Sequence, residues 1–120
     1  MKVAFTAAGD TLDSAFDSRF GRAEKFIIYD MENGAFTVID NGQNFQAAQG
    51  AGIQSAQHVV ASGAQALVTG HLGPKAAKVI FAAGIAAYHA DAKTVDEAVS
   101  MYKSKALKPL RDADVEGHWV

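Results

Sequence analysis

The segment Gln65-Ala66-Leu67-Val68-Thr69-Gly70-His71-Leu72-Gly73-Pro74-Lys75-Ala76-Ala77-Lys78-Val79-Ile80-Phe81-Ala82-Ala83-Gly84-Ile85-Ala86-Ala87-Tyr88-His89 reads as strand, helix, strand. Gln65 to Gly70 is a short apolar run bounded by glycine, as a buried strand is. Pro74 to Ala83 is a helix that opens on Pro and stops before Gly84, the asymmetry that the missing proline N–H and the permissive glycine backbone produce. Ile85 to His89 is a second short apolar run. A strand–helix–strand crossover is right-handed and leaves its two strands parallel, so the chain is of the α/β class.

Downstream, Thr94-Val95-Asp96-Glu97 is a capping box, with Thr94 as cap and Glu97 reaching back. The helix it opens runs to about Ser104, with Val95, Ala98 and Tyr102 on one face. Leu107 to Val120 contains Pro109 and little periodicity, and reads as an extended tail. Upstream, Gly50 to Ser62 has Ile53, Ala56 and Val60 at helical spacing and Gly63 as a stop. Lys2 to Ala8, Lys25 to Met31 and Ala35 to Asp40 are strand runs. Asn33-Gly34 between the last two is a hairpin signal, because both residues tolerate positive φ.

The expected order is β-β-β-α-β-α-β-α: one domain over residues 1–107 and a tail over 108–120. The sheet is five-stranded and mixed, with one antiparallel strand, the second, and three helices. The other four strands then end at one edge, followed by the loops 9–24, 41–50, 70–74 and 89–94. Ligands of open α/β sheets bind outside the carboxyl ends of the strands.

The bulk composition narrows the function. In 120 residues, 49% are hydrophobic and 20% charged, enough for one folded core. A net charge of -2 argues against a general nucleic-acid binder. No apolar run approaches membrane-spanning length and no secretory leader opens the chain, so a cytoplasmic location is expected. There is no cysteine, which removes disulfides, thiolate nucleophiles and thiolate metal ligands together.

Two loops of the carboxyl edge carry chemistry. Ser14-Ala15-Phe16-Asp17-Ser18-Arg19-Phe20-Gly21-Arg22-Ala23-Glu24-Lys25-Phe26 is too long and charged for a simple turn. Its two guanidiniums are rigid forks of donors suited to an anion with several acceptor atoms. Thr69-Gly70-His71-Leu72-Gly73-Pro74-Lys75 leaves a strand and enters a helix, where free N–H groups and the dipole favour an anion. The same glycines serve an ordinary tight connection equally well, and Walker spacing is absent.

Of the four histidines, His71 and His89 fall on this edge, His58 lies off its helix's apolar face and reads as solvated, and His118 is in the tail. Asp10, Asp13, Asp17 and Asp91 also fall on edge loops, either as solvated turn formers or as ligands for a hard cation. Asn41, Gly42, Gln43 and Asn44, with Gln49, Gly50, Ala51 and Gly52, would let a bulky ligand approach the backbone, or form an ordinary flexible loop. Phe16, Phe20 and Phe45 are either an apolar wall or core.

These residues together resemble the dinitrogenase iron–molybdenum cofactor biosynthesis family. The resemblance is carried by Asp17-Ser18-Arg19-Phe20-Gly21-Arg22-Ala23 before the strand at Lys25 to Asp30, and by Asn41 and Gly50-Ala51-Gly52. It continues through Thr69-Gly70-His71-Leu72-Gly73-Pro74, Gly84-Ile85 and Thr94-Val95-Asp96-Glu97-Ala98. It covers the chain to about Leu107 and implies a ribonuclease-H-like α/β/α fold. It also implies non-catalytic binding or carrying of a metal–sulfur cluster. Some members are small stand-alone domains, and a mixed molybdenum–copper sulfide cluster or a related molybdenum or iron–sulfur cluster is the implied cargo. Nitrogenase-associated members often carry a His just before Phe-Gly, implicated as a cluster ligand; this chain has Arg19. Arg does not ligate metal, but it neutralises an anion and donates hydrogen bonds.

The resemblance therefore implies a preformed anionic cluster held largely without bonds to metal. Ser18, Arg19, Phe20, Gly21, Arg22, Asn41, Gly70, His71, Leu72 and Gly73 would form the site, with His71 the candidate for any metal bond. A protein partner for cluster delivery is implied, with no nucleic acid or membrane. Two other classes stay open: a magnesium-dependent hydrolase using the edge carboxylates, and an interaction or regulatory module without a cluster.

Overall fold

The computed structural model describes residues 1–41 and 51–110. Gly42, Gln43, Asn44, Phe45, Gln49, Gly50 and His118, named above, lie outside the described residues.

Among the described residues there are six strands and three helices: β1 (Lys2–Ala7), β2 (Lys25–Asp30), β3 (Phe36–Asp40), α1 (Ala51–Ala61), β4 (Ala66–Thr69), α2 (Pro74–Ala82), β5 (Ala86–His89), α3 (Val95–Lys103) and β6 (Lys108–Leu110). The sheet order is β3-β2-β1-β4-β5-β6. β1, β4 and β5 are mutually parallel, with Phe5 beside Val68 and Thr69 beside His89. β2 runs antiparallel to both β1 and β3. β1, β3, β4 and β5 therefore point the same way and finish at one edge, as expected.

The count of strands is corrected from five to six, and the antiparallel strands from one to two. Lys108–Leu110, assigned above to the tail, pairs antiparallel with β5, with Pro109 opposite Tyr88. Three residues are too few for a periodic signal. Proline donates nothing to a ladder, but an edge strand tolerates it because one side of the strand needs no partner.

Alternation along the strands sorts the apolar residues into two cores, one on each face. Ala4, Phe26, Ile28, Leu67 and Ala87 face a layer made of Ala56 and Val59 of α1 and Ala76, Ala77 and Ile80 of α2. Val3, Phe5, Ile27, Tyr29 and Val68 face Val95, Ala98 and Val99 of α3. Helices on both faces make three α/β/α layers and leave the carboxyl edge as the open rim. At the opposite end the β2–β3 connection turns at Gly34, whose φ of +77° suits glycine, and Asn33 Oδ1 accepts from Ala35 N at 2.8 Å.

Helix α1 is rotated from the expected face. Ala56 and Val59 are buried, whereas Val60 is 39% exposed. The inward row also includes Ser55, a buried polar residue that hydrophobic periodicity does not register. Helix α3 carries the expected cap: Thr94 Oγ1 accepts from Glu97 N at 3.1 Å. No helix of the described residues is long and apolar enough to cross a membrane.

Candidate functional site

The arginine loop is tied down at several points before it reaches the rim. Phe16 N donates to Lys93 O, Val95 N to Ser14 O and Asp96 N to Leu12 O, so the first N–H groups of α3 are spent on the loop. Beneath it, the buried Thr6 hydroxyl donates to Asp17 O at 2.5 Å and lies 3.1 Å from the Thr69 hydroxyl. β1 and β4 thus grip the base of the loop from adjacent strands.

Beyond Asp17 the loop meets the segment after β4. His71 N donates to Ser18 O at 2.6 Å, Phe20 N donates to His71 O at 3.2 Å, and Arg19 and His71 form a parallel bridge. The two segments singled out in the sequence are one structure, with Ser18, Arg19, Arg22, His71 and Gly73 exposed at the rim.

Asp17 is a buried carboxylate that organises Arg19. It accepts from Arg19 N at 2.9 Å, Nε at 3.2 Å and Nη2 at 3.3 Å. The hydrogen bond to Asp17, then its charge, raises the Arg19 pKa further, so Arg19 stays cationic. Its side chain remains 59% exposed, which leaves guanidinium surface for a ligand. At the other loop, Gly73 caps α2 without a side-chain hydrogen bond, and Pro74 supplies the first helical residue. Gly73 O accepts from Ala77 N at 2.9 Å, and the earlier N–H groups of Lys75 and Ala76 receive no side-chain oxygen from the cap.

Three expected site residues have inward side chains. Phe20 and Leu72 are each 1% exposed in the α1–α2 core, and the Phe20 ring packs on Phe26 at 5.4 Å between centroids. What they bring to the rim is backbone; an apolar wall made by the Phe20 ring is corrected to core packing, because the loop needs an anchor. Asn41 is fully buried. Its backbone N donates to Glu24 O at 2.8 Å and its Nδ2 to Ala23 O at 2.8 Å. Asn41 holds the Arg22 end of the loop against β3 and α1.

His58, expected to be solvated, is half-buried against this amide, with Nδ1 at 2.8 Å from Asn41 Oδ1. The Ala23 carbonyl fixes which end of the amide donates, so His58 Nδ1 carries the hydrogen. Ser55 Oγ sits 2.9 Å from Asn41 Nδ2 and completes the cluster. The signal available in the sequence was the pair Ser55 and His58 on one turn of helix, which apolar counting discards.

His89 joins the rim from β5. Its Nδ1 lies 2.8 Å from Gly70 O, and its ring centroid is 6.5 Å from that of His71. Among the described residues no group of three or more His, Asp or Glu gathers to hold a metal ion. A cavity of about 530 Å³ elsewhere is lined by Met1, Met31, Tyr102 and Lys103. It sits by the start of β1 and the end of α3, away from the carboxyl rim where the charged loops meet.

The rim thus offers cationic side chains, backbone donors and imidazoles, with no cysteine in the chain. That set suits an anion bringing its own inorganic ligands and does not suit an iron–sulfur cluster built on thiolates. The model for "Dinitrogenase iron-molybdenum cofactor" matches residues 1–105. The apo form of the orange protein from Desulfovibrio gigas is similar at 37% identity and a TM-score of 0.85, over 92% of this chain and 96% of that one. A Thermotoga protein assigned as a candidate NifB is similar at 35% identity and a TM-score of 0.81, over 91% and 92%. An uncharacterized protein of Methanocaldococcus jannaschii is 31% identical over 111 residues, 90% of each chain.

Proposed function

Because the chain belongs to the dinitrogenase iron-molybdenum cofactor family, we propose that it binds and carries a preformed anionic metal–sulfide cluster, without catalysing a reaction. The cluster contains molybdenum, either with copper or as a related molybdenum or iron–sulfur species, and is cargo that passes to a protein partner. The observation that carries this reading is the junction of the Arg19–Arg22 loop with the Gly70–Gly73 loop at the rim. Arg19 and His71 pair there across the two loops, Arg22 follows three residues later on the first loop, and Gly73 leads the second loop into α2, which supports reading this junction as an anion site.

Arg19 and Arg22 supply charge and hydrogen bonds to sulfide, and Ser18, Gly21, Gly70 and Gly73 shape the cradle. His71 is the residue that bonds metal or donates to a bridging sulfide. Phe20, Leu72 and Asn41 act from below, by holding the backbone of the two loops. The likeness to the orange protein supports a small stand-alone carrier, and the open α/β/α architecture is read as ribonuclease-H-like. The edge carboxylates favour a magnesium hydrolase less, since Asp17 is committed to Arg19.

The test is reconstitution of the apoprotein with tetrathiomolybdate and copper, followed by visible absorption after gel filtration. A stable coloured complex is expected, and it is lost when Arg19 and Arg22 are both replaced by Ala. If no complex survives filtration, or the double variant retains it unchanged, the cluster reading fails.

A further inference from the structure

The cavity at the end of α3 has a volume of about 530 Å³, the size of a small-molecule pocket. Tyr88, Tyr102, Leu107, Met1 and Met31 supply its apolar lining. The Tyr88 and Tyr102 rings meet edge to face, with centroids 5.3 Å apart and planes at 84°. That pairing holds two rings rigid in the lining. The thioethers of Met1 and Met31 are polarisable and adapt to an aromatic body.

The charged lining is of one sign. Among the described residues it consists of Lys103 and Lys105, with no carboxylate. Lys103 Nζ donates to Tyr29 OH at 3.1 Å and stands 5.1 Å from the centroid of that ring. An ammonium has three N–H groups, so this bond fixes the charge in place and leaves two donors. The exposed Glu32 pairs instead with the Met1 amino group at 3.8 Å.

Lys105 reaches the cavity from a disfavoured backbone conformation. Helices α1 and α2 are followed by Gly63 at φ +80° and Gly84 at φ +77°. At the same place after α3 stands Lys105 at φ +60°, the one non-glycine residue of positive φ among the described residues. The closure is otherwise the same. Lys105 N donates to Tyr102 O at 3.1 Å and Ala106 N to Met101 O at 3.0 Å, as Gly84 N does to Phe81 O and Ile85 N to Ile80 O. A β-carbon is disfavoured in this region, and glycine avoids the cost. Strain of this kind gathers where a side chain serves a ligand, and here it brings a second ammonium to the cavity.

We propose that this cavity binds a small aromatic carboxylate, its ring against Tyr88, Tyr102 and the methionines and its anionic group on Lys103 and Lys105. A single negative charge suits the site, because the apolar lining penalises desolvation of a more highly charged anion. The cavity lies away from the carboxyl rim, and the proposal needs no cluster.

The experiment titrates the isotope-labelled full chain with naphthoate and follows the backbone amide shifts by NMR. Saturable binding of one naphthoate per chain is expected, with shifts at Met31, Tyr88, Tyr102 and Leu107 and the rim residues His71 and Gly73 unmoved. Naphthamide, the neutral isostere, should bind at least about tenfold more weakly, since it lacks the charge-assisted hydrogen bonds. Lys103→Met keeps the apolar stem and should weaken naphthoate binding about two- to fivefold. Lys105→Gly should weaken it by a similar factor while raising the urea midpoint by about 0.5 M, because the strain is removed. That pairing of a tighter fold with a poorer site separates a lost ligand contact from a damaged structure. Failure to saturate, equal affinity for naphthoate and naphthamide, parent affinity in the Lys105→Gly variant, or shifts gathered at the rim would each overturn the site.

Discussion

Gly70 is where the two rim loops touch, and replacing it with Ala tests whether that contact builds the site. A β-carbon there would lie 2.5 Å from Ser18 O, 2.8 Å from Ser18 Cα and 2.8 Å from Ser18 Cβ. None of these atoms ends a flexible side chain, so no rotamer change relieves the clash. The loops must part by roughly 1 Å to restore ordinary van der Waals contact. That stretches both cross-loop hydrogen bonds, His71 N to Ser18 O at 2.6 Å and Phe20 N to His71 O at 3.2 Å.

Overpacking of this kind costs about 1–3 kcal/mol, and each hydrogen bond contributes about 0.5–1.5 kcal/mol. Gly70→Ala should therefore destabilise the chain by about 2–6 kcal/mol, a fall of about 1–3 M in the urea midpoint at a slope of about 2 kcal/mol/M. Gly73→Ala is the control, since a β-carbon there meets nothing within 4 Å and φ is -70°. It should cost under about 1 kcal/mol, through the poorer cap alone. Urea unfolding followed by circular dichroism measures both. If Gly70→Ala lies within about 0.5 kcal/mol of the parent, or if Gly73→Ala costs as much, the packed junction is not what holds the rim.

Asn41→Ala removes the buried amide that serves Ala23 O, Ser55 and His58. It should cost about 2–4 kcal/mol in urea unfolding, because buried polar groups lose their partners; a loss below about 0.5 kcal/mol would contradict the network. Burial, and then Tyr88, raises the Tyr102 phenol above its ordinary value of 10.0. The folded chain keeps a proton that the unfolded chain releases, so this contribution is full below pH 10 and declines as pH rises from there through the raised value. Tyr102→Phe should flatten the alkaline fall of the urea midpoint relative to the parent, and an identical slope would show that the phenol is not the group responsible.

The extent to which the fold was legible followed its punctuation. Pro74 and Gly84 bracket α2, Thr94 caps α3, and Gly34 turns the β2–β3 connection. Each acts through its own backbone, so each is visible without knowledge of its neighbours. β6 was not visible, since Lys108-Pro109-Leu110 becomes a strand only by borrowing the edge of β5. The face of α1 was misread for a related reason: Ser55 and His58 turn inward to Asn41, which lies 14 and 17 residues away.

The same division runs through the site. Residue type alone determined that the rim carries guanidiniums, imidazoles and glycine-rich backbone and lacks thiolates, because charge, donor count and ligand softness are properties of single side chains. Strand direction determined which loops share an edge, and the hairpin signal and the helical crossovers made those directions readable. Only the tertiary structure decided that Asp17 orients Arg19, that Phe20 and Leu72 anchor the loops from within the core, and that Gly70 joins Ser18 on one side and His89 on the other. Those outcomes depend on hydrogen bonds and close packing between residues from 2 to more than 50 positions apart in the chain. Such contacts form only when the sheet and its helices bring the segments together.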